Sequence, residues 1–396
     1  MLYIGISPLG DIMPVENYAI VDDINNSAGI NHASVVEGTI EHYLELYGDT
    51  GNVSASAQFP QPSGGNMGVC YTTATASAAT VENNSWGSPG TMALGTLQTS
   101  YPSDNTNLEN AFLANKTLVF AAGNWGSGNS NNIDVECSSS WTINVSAADD
   151  IGSGSLGNLT YYSYANPGLT NYVMSGQAVN STMVGTSFAA PRLSALALIL
   201  QAQHNNQLTQ SEIHTLLDTY SDGVNLTQDA QGGGSVAAAG NFVWHRIDDA
   251  TFGRIVNASA SYVPGTVNTT TQAEGLYALE LDRVGDSGGV AWLAGVIASQ
   301  GIAQAAADLK GSAEYQTVSQ HQFNNVTLFE KVQALYHDGL GRESDDGGMA
   351  YWLNRVVSDH LPNFNQISST GQFIDLHQYY AAFFGAAGVA QPTWLS

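Results

Sequence analysis

The stretch "GTSFAAPRLSALALIL", residues 185–200, constrains the fold more than any other. From Leu193 to Leu200 every position except Ser194 is apolar, so a helix there has no face to give to water and must be enclosed by other elements. Pro191 is tolerated in a first turn, and Ala189 and Ala190 let other backbone approach closely. At the start of this helix Thr186 or Ser187 reads as an N-cap, whose oxygen accepts from an unpaired backbone amide. Ser187 reads equally well as a nucleophile, because the same unpaired amides and the helix dipole would stabilise an oxyanion beside it. The stretch alone leaves both readings open. A base, an orienting acid and an oxyanion donor elsewhere in the chain would decide between them.

A helix buried on all sides needs a large core, and 396 residues with 43% hydrophobic content can supply one, with room for a second, smaller domain. Strand and helix patterns alternate between Asn17 and Leu217, which predicts an α/β fold: a mostly parallel sheet with helices on both faces. Sheets of this kind place ligands at the carboxyl ends of their strands. Nine Lys and Arg against 34 Asp and Glu give a net charge of −25, which argues against nucleic acid or an anionic membrane as partner, since both need basic patches. No run approaches the roughly 18 apolar residues of a membrane span. The opening "MLYIGISPLGDIMP" has no cationic start, so a cleaved signal peptide is not expected. Cys70 and Cys137 are the two cysteines, and sequence leaves their pairing open.

Three further segments carry chemistry. "NYAIVDDIN" is a short apolar strand pattern ending in Asp22 and Asp23, where a carboxylate is held rigidly or simply makes a turn. His32 follows in "NHASVVEGTIEHYL", a turn leading into a helix. "TLVFAAGNWGSGN" is an apolar strand, Thr117 to Ala122, that stops at Gly123 and Asn124, and the Asn amide is a neutral donor suited to an oxyanion. A serine hydroxyl needs an imidazole to take its proton, and the imidazole needs a carboxylate to fix its tautomer. The chain supplies them in the order Asp, His, Ser, the order found in subtilisin.

At this point a resemblance becomes specific. "GTSFAAP" resembles the serine motif of the subtilisin-like serine proteases, with Phe188 in place of the usual Met. "HASVVEGTI", "AIVDD" and "FAAGN" are similar to that family's histidine, aspartate and oxyanion-asparagine segments. "ENNSWGS" resembles the strand that walls the substrate cleft. The resemblance runs over roughly residues 16 to 262 and implies a catalytic triad of Asp22, His32 and Ser187 with Asn124 as oxyanion donor. It further implies that substrate lies extended between Ser85, Trp86 and Gly87 on one side and Ala122 and Gly123 on the other. The implied activity is a serine endopeptidase acting on polypeptides through an acyl-enzyme. No cofactor is required on this reading, calcium being a candidate structural ion, and no pro-domain fits ahead of Asp22. The rival is a non-catalytic surface or adhesion protein on a degenerate protease scaffold, favoured by the short Asp22 to His32 gap and by Ala33 and Val35 after the histidine.

The last third changes to helical patterns after the polar "SYVPGTVNTTTQ". The expected division is a protease domain over 1–262, a linker over 263–275, and a small all-α domain over 276–396. Within that domain Asp286, Gly288 and Trp292 match Asp346, Gly348 and Trp352 as a two-copy repeat, in which an acidic-glycine loop caps a helix and its Trp enters a small core. The module resembles a helical repeat domain of unknown function on bacterial secreted and surface-layer proteins. That resemblance implies a bacterial protein, secreted or on the cell surface without a cleaved leader, whose helical domain makes surface or secretion contacts.

Overall fold

The computed structural model describes residues 16–22, 32–47, 53–60, 78–86, 89–91, 97, 100–124, 132–134, 137, 139–148, 160–161, 172–225, 228–229, 243–317, 326–360 and 376–395. Its main sheet runs, from edge to edge, Asp222–Asn225, Val243–Arg246, Tyr172–Ser175, Ile143–Ala148, Thr117–Ala121, Val81–Asn84, Glu16–Asp22 and Val53–Pro60. Along this path the strands pair in parallel, except that Asp222–Asn225 runs antiparallel to Val243–Arg246. All five residues of Thr117–Ala121 and all six of Ile143–Ala148 are buried, as expected for central strands covered on both faces.

The pleat divides each central strand between two cores. Tyr18, Ile20, Val119, Ala121, Tyr172 and Met174 face one side, where they pack with Val36 and Ile40 of the helix His32–Leu46 and with the helix Thr186–Gln203. Ala19, Leu118, Phe120 and Val173 face the other side, together with Phe112 and Trp141. The helix Thr186–Gln203 is buried at every position from Phe188 to Ala202, which bears out the enclosure its sequence demanded. Among the described residues no helix is long and apolar enough to cross a membrane.

The C-terminal third is helical and completes the second core. Phe329 meets Phe112 edge to face at 6.3 Å, and Asn354 donates to Glu109 at 2.6 Å. A helix over Thr269–Leu276, capped by Asn268, begins inside the stretch expected to be linker. It joins the closing helix Gln210–Tyr220 of the sheet layer through Thr219 and Thr271, whose hydroxyls lie 3.3 Å apart.

The internal repeat is present, in a different register from the one its tryptophans indicated. Asp286 accepts from Gly289 N at 2.8 Å, and Asp345, not Asp346, accepts from Gly348 N at 2.8 Å. Arg283 lies over the Tyr277 ring at 4.7 Å and Arg342 over Tyr336 at 4.8 Å. A Cβ on Gly289 or Gly348 would collide with the hydroxyl of Tyr277 or Tyr336, so each copy needs its glycine for the tyrosine to pass. These pairs are 59 residues apart, so Trp292 matches Tyr351, and both are 53% exposed. Trp352 instead matches Leu293, and it is Trp352 that enters a core, against Phe383 at 5.0 Å. The loops act as helix caps, the role read from their sequence.

Candidate active site

Parallel strands bring their ends to one edge of the sheet, and the candidate residues gather there. Asp22 ends the strand Glu16–Asp22 with its backbone aligned to Pro60, and its side chain lies outside the described residues, as do Asp23, Gly87 and Cys70. Ser85 and Trp86 follow the strand Val81–Asn84. Ala122, Gly123 and Asn124 follow Thr117–Ala121. His32 opens its helix, and Ser187 is the second residue of the helix Thr186–Gln203. The described parts of the sequence-derived site thus share one end of the sheet.

Thr186 locks Asn124 in place with two hydrogen bonds. The Asn124 Oδ1 accepts from the Thr186 backbone amide at 2.9 Å and from the Thr186 hydroxyl at 3.1 Å. The Thr186 hydroxyl also accepts from Gly123 N at 3.2 Å, so Gly123, Asn124 and Thr186 form one small ring of bonds. With Oδ1 committed, the side-chain NH2 of the exposed Asn124 remains as a donor at the helix start. Gly185 makes this possible: its φ is +150°, and a Cβ there would lie 3.1 Å from both Oδ1 and Nδ2 of Asn124.

Ser187 is tied to the neighbouring strand end. Its Oγ donates to Ser85 O at 3.2 Å, and Ser85 Oγ donates to Ser187 O at 2.9 Å. Behind them, Ser194 Oγ donates to Asn83 Oδ1 at 3.0 Å while Asn83 Nδ2 donates to Ser85 Oγ at 2.9 Å. This buried relay fixes the serine helix to the Val81–Asn84 strand at two levels. Trp86 is only 5% exposed and turns inward, its indole N–H donating to Asn84 Oδ1 at 3.2 Å, so any contact it makes in the cleft is through its backbone. The amide N–H groups of Ala122 and Gly123 are likewise spent inside the protein, on Val145 O and Thr186 Oγ1. A strand-like ligand along that segment therefore meets carbonyls there, not amides.

The imidazole of His32 packs on the ring of Phe188, centroid to centroid 5.3 Å with the planes tilted by 49°. The aromatic residue that stands in place of Met in the serine motif is thus the floor under His32. Arg192, one turn further along, fixes the two helices to each other. Its guanidinium donates to Phe188 O at 2.7 Å, to Ser175 O at 3.1 Å, and through Nε to the Tyr43 hydroxyl at 3.1 Å. Tyr43, on the His32 helix, passes the link on by donating to Asp249 at 2.8 Å, and burial above all pushes its phenol above the usual range. A lone arginine within an apolar run was the signal for this role, since a buried cation must be given partners. Asn83, Ser194 and Thr186 carried no comparable signal. Cys137 is buried and donates its thiol to Ala121 O at 3.4 Å, behind the strand that leads to Asn124.

Residues 53–241 match the model of the subtilase family. The match takes in Asn124 and Ser187 and begins after Asp22 and His32. No curated protein matches the chain. Among solved structures it is similar to the prenylagaramide maturation protease PagA, at 16% identity and TM-score 0.43, covering 61% of this chain and 94% of that one. A lanthipeptide protease is similar at 11% identity and TM-score 0.42, over 62% of this chain and 88% of that one. The A-subunit of the AB5 toxin from E. coli is similar at 13% identity and TM-score 0.43, over 63% of this chain and 93% of that one.

Proposed function

We propose, on the premise that residues 53–241 form a subtilase-family domain, that this chain is a serine endopeptidase that hydrolyses peptide bonds through an acyl-enzyme. Ser187 attacks the scissile carbonyl, His32 takes the hydroxyl proton and returns it to the leaving amine, and Asp22 orients and balances the imidazole. The tetrahedral oxyanion is held by the Asn124 side-chain NH2 and the Ser187 backbone amide at the positive end of the helix. Polypeptide substrate lies extended along the strand ends, between Ser85 to Gly87 and Ala122 to Gly123, adding itself as a further strand.

The observation that carries this reading is the commitment of Asn124 Oδ1 to Thr186, which turns a donor NH2 outward one residue from the nucleophile. The Ser187 hydroxyl rests on Ser85 O, a bond it gives up when it engages His32. A fluorophosphonate probe tests the assignment. Covalent labelling of the parent and none of Ser187→Ala is the expected result. Equal labelling of both overturns it.

A further inference from the structure

A second cluster of chemistry lies away from the strand ends, where the sheet layer meets the helical third. Asp218 comes from the helix Gln210–Tyr220, His245 from the strand Val243–Arg246, and Glu330 from the helix Leu328–Ala334. One ligand atom of each lies within 4.8 Å of the other two. His245 Nε2 is 2.9 Å from Glu330 Oε1 and 3.6 Å from Asp218 Oδ1. These separations suit the edges of a coordination sphere whose bonds are about 2.0–2.2 Å long.

The surroundings favour ligation. The other ring nitrogen of His245 meets Ser221 Oγ at 2.5 Å, which fixes the ring and leaves Nε2 pointing at the two carboxylates, the usual outer-shell arrangement of a metal-binding histidine. Glu330 satisfies Thr327 through Oε2 in a capping box, so Oε1 is held toward His245 by a helix N-terminus. The same residues line a cavity of about 30 Å³, enough for one ion with a bound water.

Glu274 supplies an independent sign of a missing cation. It is 8% exposed and lines the same cavity, and its one hydrogen bond among the described residues is from Gly285 N to Oε2 at 3.0 Å, which leaves Oε1 unpartnered. The nearby basic side chains already have partners: Arg283 bonds to Glu314 and its charge also acts on Glu274, Lys331 pairs with Asp282, and His337 bonds to Glu343. Asp218 Oδ1 also accepts from the Tyr172 hydroxyl, which lies 2.9 Å from His214 Nδ1, so Asp218, Glu274 and Glu330 are three carboxylates that share the His245 ring and one phenol in a buried space.

We propose that Asp218, His245 and Glu330 form a site for a divalent transition-metal ion of the zinc class, with a water or Glu274 in the fourth position, and that the ion clamps the helical third onto the sheet layer. Nitrogen beside two carboxylates at a small, buried, low-coordinate site favours zinc-class ions over calcium, which takes 6–8 oxygens. The site does not depend on the peptidase reading and should survive loss of Ser187.

The test is Zn²⁺ uptake by the full chain, stripped with chelator, reloaded and dialysed. One equivalent retained by the parent, by Ser187→Ala and by His32→Ala is expected, with binding in His245→Gln and Glu330→Gln weakened by more than the roughly 10–100-fold that outer-shell changes cost. Glu330→Gln keeps an acceptor for Thr327, which guards against simple unfolding. Co²⁺ on the unmutated chain gives a readout independent of any variant: d–d bands of a nitrogen and oxygen site without a thiolate charge-transfer band. No uptake of Zn²⁺ or Co²⁺, uptake of Ca²⁺ alone, a thiolate band, or undiminished binding in folded His245→Gln overturns the proposal.

Discussion

Asn124 Oδ1 accepts both the backbone amide and the hydroxyl of Thr186, at 2.9 and 3.1 Å, so the residue expected to steady an oxyanion is anchored to the residue just before Ser187. Such a donor acts only once charge develops on the carbonyl oxygen. Asn124→Ala should therefore lower kcat by about 100 to 1,000-fold with little change in KM. Steady-state kinetics on a peptide substrate checks this, and a rise in KM at constant kcat would contradict the role.

The anchoring depends on Gly185. Its φ of +150° is disfavoured for other residues, and a Cβ would press on both polar atoms of the Asn124 amide at 3.1 Å. Gly185→Ala should cost about 1–3 kcal/mol of stability from backbone strain. It should also lower kcat as Asn124→Ala does, because the amide must move. Denaturant melts together with kinetics separate the two effects: normal turnover in a destabilised variant would show that the amide position does not matter.

The sequence made the first core legible because its signals are local. A run with no polar face demanded enclosure, and strands ending in Asp22 and in Gly123 to Asn124 put candidate groups at one end of a parallel sheet. It could not reveal the relay Ser194 to Asn83 to Ser85, because residues 111 positions apart are joined only by folding. Nor could it reveal that Phe188 floors His32, since a Phe for Met exchange in a buried turn looks like a packing change alone. Matching tryptophans set the repeat one residue off its structural register, because they carry no trace of the capping geometry. Asp286 and Asp345 hold the glycine amides, and side-chain identity at Trp292 and Trp352 is incidental to that. The helical third was expected beyond a linker, whereas Phe329 against Phe112 makes it part of the second core, a contact for which composition holds no sign.

Arg192 makes three hydrogen bonds that join the His32 helix, the serine helix and the strand ending at Ser175. Arg192→Met keeps most of the volume and leaves the Phe188 and Ser175 carbonyls and the Tyr43 hydroxyl short of a donor. About 3 kcal/mol of stability should be lost, since hydrogen bonds to charged groups contribute roughly 1.5–3 kcal/mol each and the arginine's own burial cost offsets part of the loss. Chemical denaturation reads this directly. An unchanged midpoint would mean that water replaces the arginine and that the two helices hold each other by apolar packing alone.

Glu82 gives the chain a pH dependence whose sign can be worked out. It is buried in the Val81–Asn84 strand, 2% exposed, with Oε1 lacking any hydrogen-bond partner. Burial pushes its carboxyl up to about 8, against the opposing pull of Lys116. Because the folded chain binds this proton more tightly than the unfolded chain does, its contribution to stability is complete below about pH 4.5 and is lost as pH rises through 8. At roughly 1.4 kcal/mol per pH unit, the loss reaches about 3 kcal/mol by pH 7. Glu280 and Asp346, both pushed up to about 7 chiefly by burial, slope the same way, so the quantity to measure is a difference. Glu82→Gln carries no charge at any pH, and its stability should fall less steeply than the parent's between pH 5 and 8. The two curves should lie closest at the acid end and diverge toward pH 8 in favour of the variant. Parallel curves across that range would mean that Glu82 is ionised in the folded chain and that Lys116 holds its charge.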